Sequence, residues 1–252
     1  MDSEFVDCIV TSPPYFWLRD YGVEGQIGKE DSVDEYVSAL REIMAEARRV
    51  LKRRGVAFLN LGDTYYSGKG KSHGRDAKSK KRRFGLRAVD KSGGLGLGLQ
   101  RKSLIGIPWR VALALAEDGW VLRSAIIWHR TNRLPEFVRD RPGRTYEFVF
   151  MLARHRHYHF EKNELPNKIE EDLWTIPARP RSTAGLSTAP FPDALVKRCL
   201  KIGCPTDGTV LDPFVGSGTT VRVALETGRS GIGIDLNGKF CRHASQTLER
   251  LA

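Results

Sequence analysis

The sequence contains no run of eighteen apolar residues, so no segment reads as a membrane-spanning helix. Its opening, Met1-Asp2-Ser3-Glu4, is acidic where a secretory signal would be basic, and the expectation is a cytoplasmic protein with no membrane partner. Cysteine is scarce. Cys8, Cys199, Cys204 and Cys241 form no CxxC pair and no metal-ligand spacing, which excludes a disulfide scaffold and reads as buried, reduced thiols without a metal. There is also no internal repeat, and no Lys-Ser/Thr pair follows a glycine-rich loop as a P-loop requires. What is present is ordinary globular composition. With 252 residues, 40% hydrophobic and 28% charged, the chain suits one domain spanning 1–252. A chain of that length buries about three quarters of its extended surface.

Acidic charge is in deficit. Lys and Arg number 41 against 30 acids, a formal charge of +11 that favours a polyanionic partner such as nucleic acid. Between Lys69 and Lys102, twelve basic residues face only Asp76 and Asp90, a local net of +10, and the remainder is close to neutral. Residues 68–103, rich in Gly, Ser, Lys and Arg, read as a basic, flexible insertion. A second basic loop, Asn132 to Arg144, carries Arg133, Arg139, Arg141 and Arg144.

Strand and helix patterns alternate around these loops. Phe5–Val10 and Val56–Leu61 read as buried strands. Between them, Ser32–Leu51 has helical spacing, with Ser32 as N-cap, Glu35 completing a capping box and Gly55 marking the end. A helix over Ile107–Glu117 carries Pro108 in its first turn. Strands follow at Val121–Trp128 and Tyr146–Leu152, and His155, His157 and His159 alternate as on one strand face beside Arg154 and Arg156. The stretch from Phe160 to Pro192 is polar and proline-rich. The end of the chain reads as a helix over Asp193–Ile202, a strand Val210–Asp212, a helix Thr219–Thr227, a strand Ser230–Asp235 and a helix Lys239–Leu251. This alternation predicts an α/β fold with a doubly wound, mostly parallel, Rossmann-like sheet.

Two segments carry chemistry. Asp212 closes one strand, Pro213-Phe214-Val215-Gly216-Ser217-Gly218 follows, and Asp235 closes the next strand nineteen residues after Gly216. Glycines admit a ligand to the helix N-terminus, and an acid at that interval suits ribose hydroxyls. A dehydrogenase fingerprint fits poorly, because Val221 stands at the third glycine position. The other segment is Thr11-Ser12-Pro13-Pro14-Tyr15, directly after a buried strand. Two prolines fix the backbone and remove two donors, leaving carbonyls, a hydroxyl and an aromatic face. That set suits a planar ligand bearing an amino group, although a rigid turn with a core tyrosine has the same look.

Together these segments resemble the amino-group DNA methyltransferases. Ser12-Pro13-Pro14-Tyr15 resembles their catalytic motif, and Asp212–Thr220 their S-adenosylmethionine loop, in the circularly permuted order of the β class. The resemblance extends to Leu18–Gly22, Asn60–Asp63, Gly106–Trp109, Ile126–His129 and Arg139–Pro142. It implies S-adenosylmethionine as cofactor and direct methyl transfer to the exocyclic amine of a flipped-out base in double-stranded DNA. Ser12 Oγ and the Pro13 carbonyl would grip the amine, and Tyr15 would stack on the base. No Pro-Cys nucleophile occurs, which argues against methylation of cytosine carbon 5.

By the same resemblance Asp235 would hold the ribose. Thr11, Pro192, Asp212, Pro213, Phe214, Gly216, Ser217, Gly218, Thr219 and Thr220 would line the rest of the cofactor site. Ser-Pro-Pro-Tyr is the form typical of N4-cytosine enzymes, with N6-adenine the alternative. An RNA or protein-amide methyltransferase, or a non-enzymatic DNA-binding module, would share the fold. Lys69, Lys71, Arg75, Lys78, Lys80, Lys81, Arg82 and Arg83, with Arg133, Arg139 and Arg141, are the candidate phosphate contacts. Residues 154–182 are the candidate target-recognition segment. Relatives of this class often form homodimers, belong to restriction–modification pairs, and usually carry a further strand and loop ahead of the position of Phe5.

Overall fold

Strand and helix alternate along the computed structural model, which describes residues 1–66, 98–132, 136, 138–165, 171–178 and 191–249. Seven strands form one sheet: β1 Val6–Thr11, β2 Leu51–Leu61, β3 Val121–His129, β4 Tyr146–Ala153, β5 Leu173–Thr175, β6 Thr209–Asp212 and β7 Ser230–Gly233. Their spatial order is β5-β3-β4-β2-β1-β6-β7. β1 is parallel to both neighbours, β2 and β6, and β6 is parallel to β7. β3 and β4 make the antiparallel exception, as a hairpin, and β3 pairs parallel with β5. The helices are α1 Val33–Val50, α2 Ile107–Glu117, α3 Asp193–Gly203, α4 Thr219–Glu226 and α5 Gly238–Glu249.

The central strands are buried almost without interruption, as a sheet covered on both faces requires. Alternate residues share a face. Cys8 and Val10, Val56 and Phe58, Ile126 and Trp128, and Val149 and Met151 join one core cluster. Leu195, Val196, Cys199 and Leu200 of α3, with Val223 and Ala224 of α4, complete it. Burial pushes the Cys8 and Cys199 thiols up from their ordinary range. Cys241 differs from its expected state, being only partly buried.

The structure divides into two compact units. One comprises Met1–Ser12, Ala47–Asn60 and Gly119–Ala252 and holds the sheet; the other comprises Pro13–Glu46 and Leu61–Asp118. In the first unit the chain passes from β1 to β2 on one side and from β6 to β7 on the other. The boundary between β1 and β6 is therefore a topological switch point, where ligands bind beyond the carboxyl ends of the strands. Among the described residues, no helix is long and apolar enough to cross a membrane.

Four expectations need correction. Gly55 does not end a helix: α1 stops at Val50, and Gly55 lies inside β2, which starts at once at Leu51. A Cβ on Gly55 would meet Leu51 Cδ1 at 2.6 Å and the Asp7 carbonyl at 2.9 Å, so close approach rather than helix termination selects glycine. β7 stops at Gly233, two residues before Asp235, which stands in the following loop. His155, His157 and His159 lie beyond β4, which ends at Ala153, and the chain bends there. Finally, the polar stretch after Phe160 contains β5, a three-residue strand around the fully buried Trp174.

Candidate active site

β6 and β7 run side by side, and the loop Pro213–Gly218 leaves the carboxyl end of β6 to enter α4. Gly216 (φ 52°) and Gly218 (φ 84°) adopt the left-handed conformation that side chains rarely tolerate. Gly218 is also selected by packing, since a Cβ there would sit 3.0 Å from Ala244 Cβ of α5. Around Gly216 there is room: the nearest atom a Cβ would meet is the Phe214 carbonyl, 3.9 Å away. Pro213, Phe214, Gly216 and Ser217 are half-buried, whereas Gly218, Thr219 and Thr220 are buried.

Asp235 faces this loop. Its Oδ2 accepts the Gly216 amide at 2.9 Å and its Oδ1 accepts the Asn237 amide at 2.8 Å. An ionised carboxylate offers about four acceptor positions, so capacity for two further donors remains. Ile234 and Leu236 flank it with exposed apolar side chains, 48% and 62% accessible. The Val215 amide donates to the Ile234 carbonyl, and the Ile234 amide to the Asp212 carbonyl, so both loops are tied together beyond the strands.

Asp212 is different in kind. It is 2% exposed, and its carboxylate takes three donors: Thr11 Oγ1 (2.6 Å) and the Phe214 amide (3.0 Å) on Oδ1, and Thr220 Oγ1 (2.7 Å) on Oδ2. Thr11 and Thr220 have no exposed surface, so their hydroxyls serve this carboxylate. The clamp joins the last residue of β1, the loop and the first turn of α4. Burial pushes the Asp212 carboxyl up to about 6, opposed by its three hydrogen bonds and reinforced by the charge of Asp235. Pro192, also buried, caps α3, its carbonyl accepting the Leu195 amide at 2.9 Å.

Ser12 follows Thr11 directly, and Pro13, Pro14 and Tyr15 open the second unit. There the Pro14 carbonyl accepts a 2.8 Å hydrogen bond from Tyr36 Oη, of the first turn of α1. Tyr36 is wholly buried with its ring 5.4 Å from that of Phe16, and burial raises its phenol above the ordinary range. The Pro13 carbonyl accepts no hydrogen bond from the described residues. Gly62 backs the tyrosine: a Cβ there would come within 2.5 Å of Tyr15 Cε2. Gly28 (φ 97°) approaches the same motif, and a Cβ would reach the Tyr15 carbonyl at 3.0 Å. Trp17 sits at φ 50°, held by its amide to the Gly28 carbonyl (2.7 Å) and its indole N–H to the Glu30 carbonyl (2.7 Å).

Tyr36, Gly28 and Gly62 carry the geometry of this segment without having been singled out for it by sequence reasoning. Tyr36 reads as one more member of an apolar helical stripe, and only its hydroxyl hints at a polar partner. Asp63 is a further case. Its carboxylate accepts the Thr64, Gly106 and Ile107 amides at 2.8–3.1 Å, satisfying the N-terminus of α2 from 43 residues away.

Of the candidate phosphate contacts, Lys69, Lys71, Arg75, Lys78, Lys80, Lys81, Arg82, Arg83 and Arg133 lie outside the described residues. Arg139 is exposed, and Arg141 is paired with Glu136 at 2.7 Å. The candidate recognition segment is described at 154–165 and 171–178.

The N6/N4 methyltransferase family model, described as DNA methylase, matches residues 6–246. The type II methyltransferase M.SmaI of Serratia marcescens is 40% identical over 259 residues, covering 99% of this chain and 86% of that protein. M.Cfr9I of Citrobacter freundii is 40% identical over 256 residues, covering 99% and 83%. Among solved structures, the cytosine-N4-specific PvuII DNA methyltransferase superposes with a TM-score of 0.70 at 17% identity, covering 97% of this chain and 79% of that one. A DNA modification methylase of Thermus thermophilus, complexed with S-adenosyl-L-methionine, gives 0.65 at 20% identity, covering 99% and 88%. The structural likenesses show the fold, and the matches in sequence carry the further conclusion: the chain belongs to the N6/N4 amino-group DNA methylase family.

Proposed function

We propose that this protein is a site-specific, S-adenosylmethionine-dependent DNA methyltransferase acting on the N4 amino group of cytosine. The observation that carries the reading is the state of the two proline carbonyls: Pro14's is occupied by Tyr36, and Pro13's accepts nothing among the described residues. A rigid, donor-free backbone with an uncommitted acceptor next to a serine hydroxyl suits an incoming N–H donor.

The cofactor site fits its ligand. Asp235 has acceptor capacity for two ribose hydroxyls, Ile234 and Leu236 offer apolar surface to a nucleobase, and the half-buried loop around Gly216 leaves room for the methionine portion. When bound, S-adenosylmethionine supplies an electrophilic methyl group on a sulfonium. Thr11, Asp212 and Thr220 act one layer behind the ligand, by holding the loop and the end of β1 in register.

An exocyclic amine on an aromatic base is a poor nucleophile, because its lone pair is delocalised into the ring. Hydrogen bonds accepted from it by Ser12 Oγ and the Pro13 carbonyl hold both amine hydrogens and turn the lone pair out of conjugation. Tyr15, buttressed by Gly62, offers its ring as the platform for a base that has left the duplex. Transfer needs no covalent adduct with the protein. Cytosine is favoured over adenine by the Ser-Pro-Pro-Tyr form of the motif and by likeness to a structure described as cytosine-N4-specific.

The test is transfer of labelled methyl to mixed-sequence duplex DNA, with mass spectrometry of the nucleosides. N4-methylcytosine is the expected product. N6-methyladenine alone would keep the class and correct the base. Label on RNA or protein but not on DNA would overturn the reading.

A further inference from the structure

Away from the loops that bear the cofactor and catalytic motifs, the sheet unit presents a basic edge at the amino end of β1. β1 and β2 pair Val6 with Leu51 and then Cys8 with Val56, so three extra residues of β2 are pushed out of the ladder. They are Lys52, Arg53 and Arg54, all exposed, and the chain returns through Gly55, where a side chain would collide with Leu51 and Asp7. Such bulges are built features that re-aim side chains. The segment after β4 docks on this one: the His159 amide donates to the Arg54 carbonyl at 2.8 Å and the Arg154 amide to the Gly55 carbonyl at 3.4 Å. It brings His155, Arg156 and His157 to the same edge.

The neighbouring acids are already used. Asp7 takes Lys52 on both oxygens (2.9 and 2.8 Å), and Glu4 takes Arg154 at 3.0 Å. The guanidinium groups of Arg53, Arg54 and Arg156 have no ion pair among the described residues. Their field is felt locally: partial burial, then Arg53, His157 and Arg156, hold the His155 imidazole below its usual range. A cavity of about 450 Å³ opens between Lys52–Gly55, His159 and Pro205.

We propose that this edge is a second binding surface for the phosphate backbone of duplex DNA, distinct from the end of the sheet where methyl transfer takes place. Three unpaired guanidinium forks suit phosphate oxygens, and like charges gathered at a cost to the fold call for an anionic partner. β1 spans six residues, so the edge lies roughly 20 Å from Ser12. A duplex held here is therefore a segment other than the one being methylated, and the surface retains the protein on long DNA. This rests on the reading of the protein as a DNA enzyme.

The experiment compares the full chain with Arg53→Ala/Arg54→Ala/Arg156→Ala, measuring affinity for a 60-base-pair duplex against salt by fluorescence anisotropy. The slope of log affinity against log salt should shrink by about 2–3, each phosphate contact contributing about 0.9. Lysine at all three positions should restore it. Methyl transfer to a duplex of about 20 base pairs at saturating DNA should stay unchanged, which also shows that the variant is folded. An unchanged salt slope overturns the proposal, and it does so equally if the variant loses binding to phosphatidylserine vesicles instead. If neither protein methylates DNA but the slope still falls, the catalytic reading fails and the surface stands.

Discussion

Three side chains decide how the site behaves, and each is tied to backbone rather than placed at large. Tyr36 holds the Pro14 carbonyl, so Tyr36→Phe leaves a partly buried acceptor without its donor. That should lower stability by about 1–3 kcal/mol and reduce kcat, with cofactor affinity unchanged, as denaturant titration and isothermal calorimetry would show. Asp212 is the second case. Its folded carboxyl is raised to about 6 from 3.8, so between pH 4 and 6 the folded state binds more protons than the unfolded one. Stability due to this group therefore falls as pH rises through that window, and the ionised form costs about 3 kcal/mol above it. Asp212→Asn keeps an acceptor for Thr11 and Phe214 while removing the charge. Chemical denaturation should find the variant at least as stable as the parent at pH 7.5, with the slope between pH 4 and 6 flattened. Its affinity for S-adenosylmethionine should nonetheless drop, because the carboxylate that organises the loop is gone. The third side chain, Ser12, carries the central claim and its test comes last.

Among the elements, those with a strong local signal were legible and those made by contact were not. Ser32 and Glu35 form the expected reciprocal cap, the Glu35 amide donating to Ser32 Oγ at 3.1 Å and the Ser32 amide to Glu35 Oε2 at 3.3 Å. α2 begins and ends where its proline and apolar stripe place it. β5 was illegible because three residues carry no period, and Trp174 is placed only by a neighbouring strand and α3. The bulge of β2 was equally hidden, since Lys52-Arg53-Arg54 continues the polar face of a helix as naturally as it starts a strand. The loops of the cofactor site were legible in composition, but the Thr11–Asp212 bond joins residues 201 positions apart. The base of the insertion allows a clean test at this scale. Tyr66 and Ser103, and Thr64 and Ile105, pair by backbone hydrogen bonds of 2.9 and 3.0 Å, and the Lys102 amide donates to the Tyr66 carbonyl at 2.8 Å. Replacing residues 68–100 by a short glycine linker should leave the stem and the melting temperature nearly intact. It should also flatten the salt dependence of DNA binding. An unaltered slope would remove the insertion from the DNA interface.

For the molecule as a whole, charge read along the chain and charge read in space give different pictures. In sequence nearly all of the +11 excess falls between Lys69 and Lys102. In the fold, residues near 53 and 156 converge into a second basic region that no linear window shows. The catalytic and cofactor segments, by contrast, were legible because each is continuous, and the parallel sheet then brings Thr11 and Asp212 together at its switch point. The central claim is that Ser12 and the Pro13 carbonyl grip the amine to be methylated. Single-turnover methyl transfer to duplex DNA by Ser12→Ala, with S-adenosylmethionine affinity measured in parallel, tests it most directly. The transfer rate should fall about 100-fold or more while cofactor affinity stays at the parent value. A variant that transfers methyl at the parent rate would contradict the account.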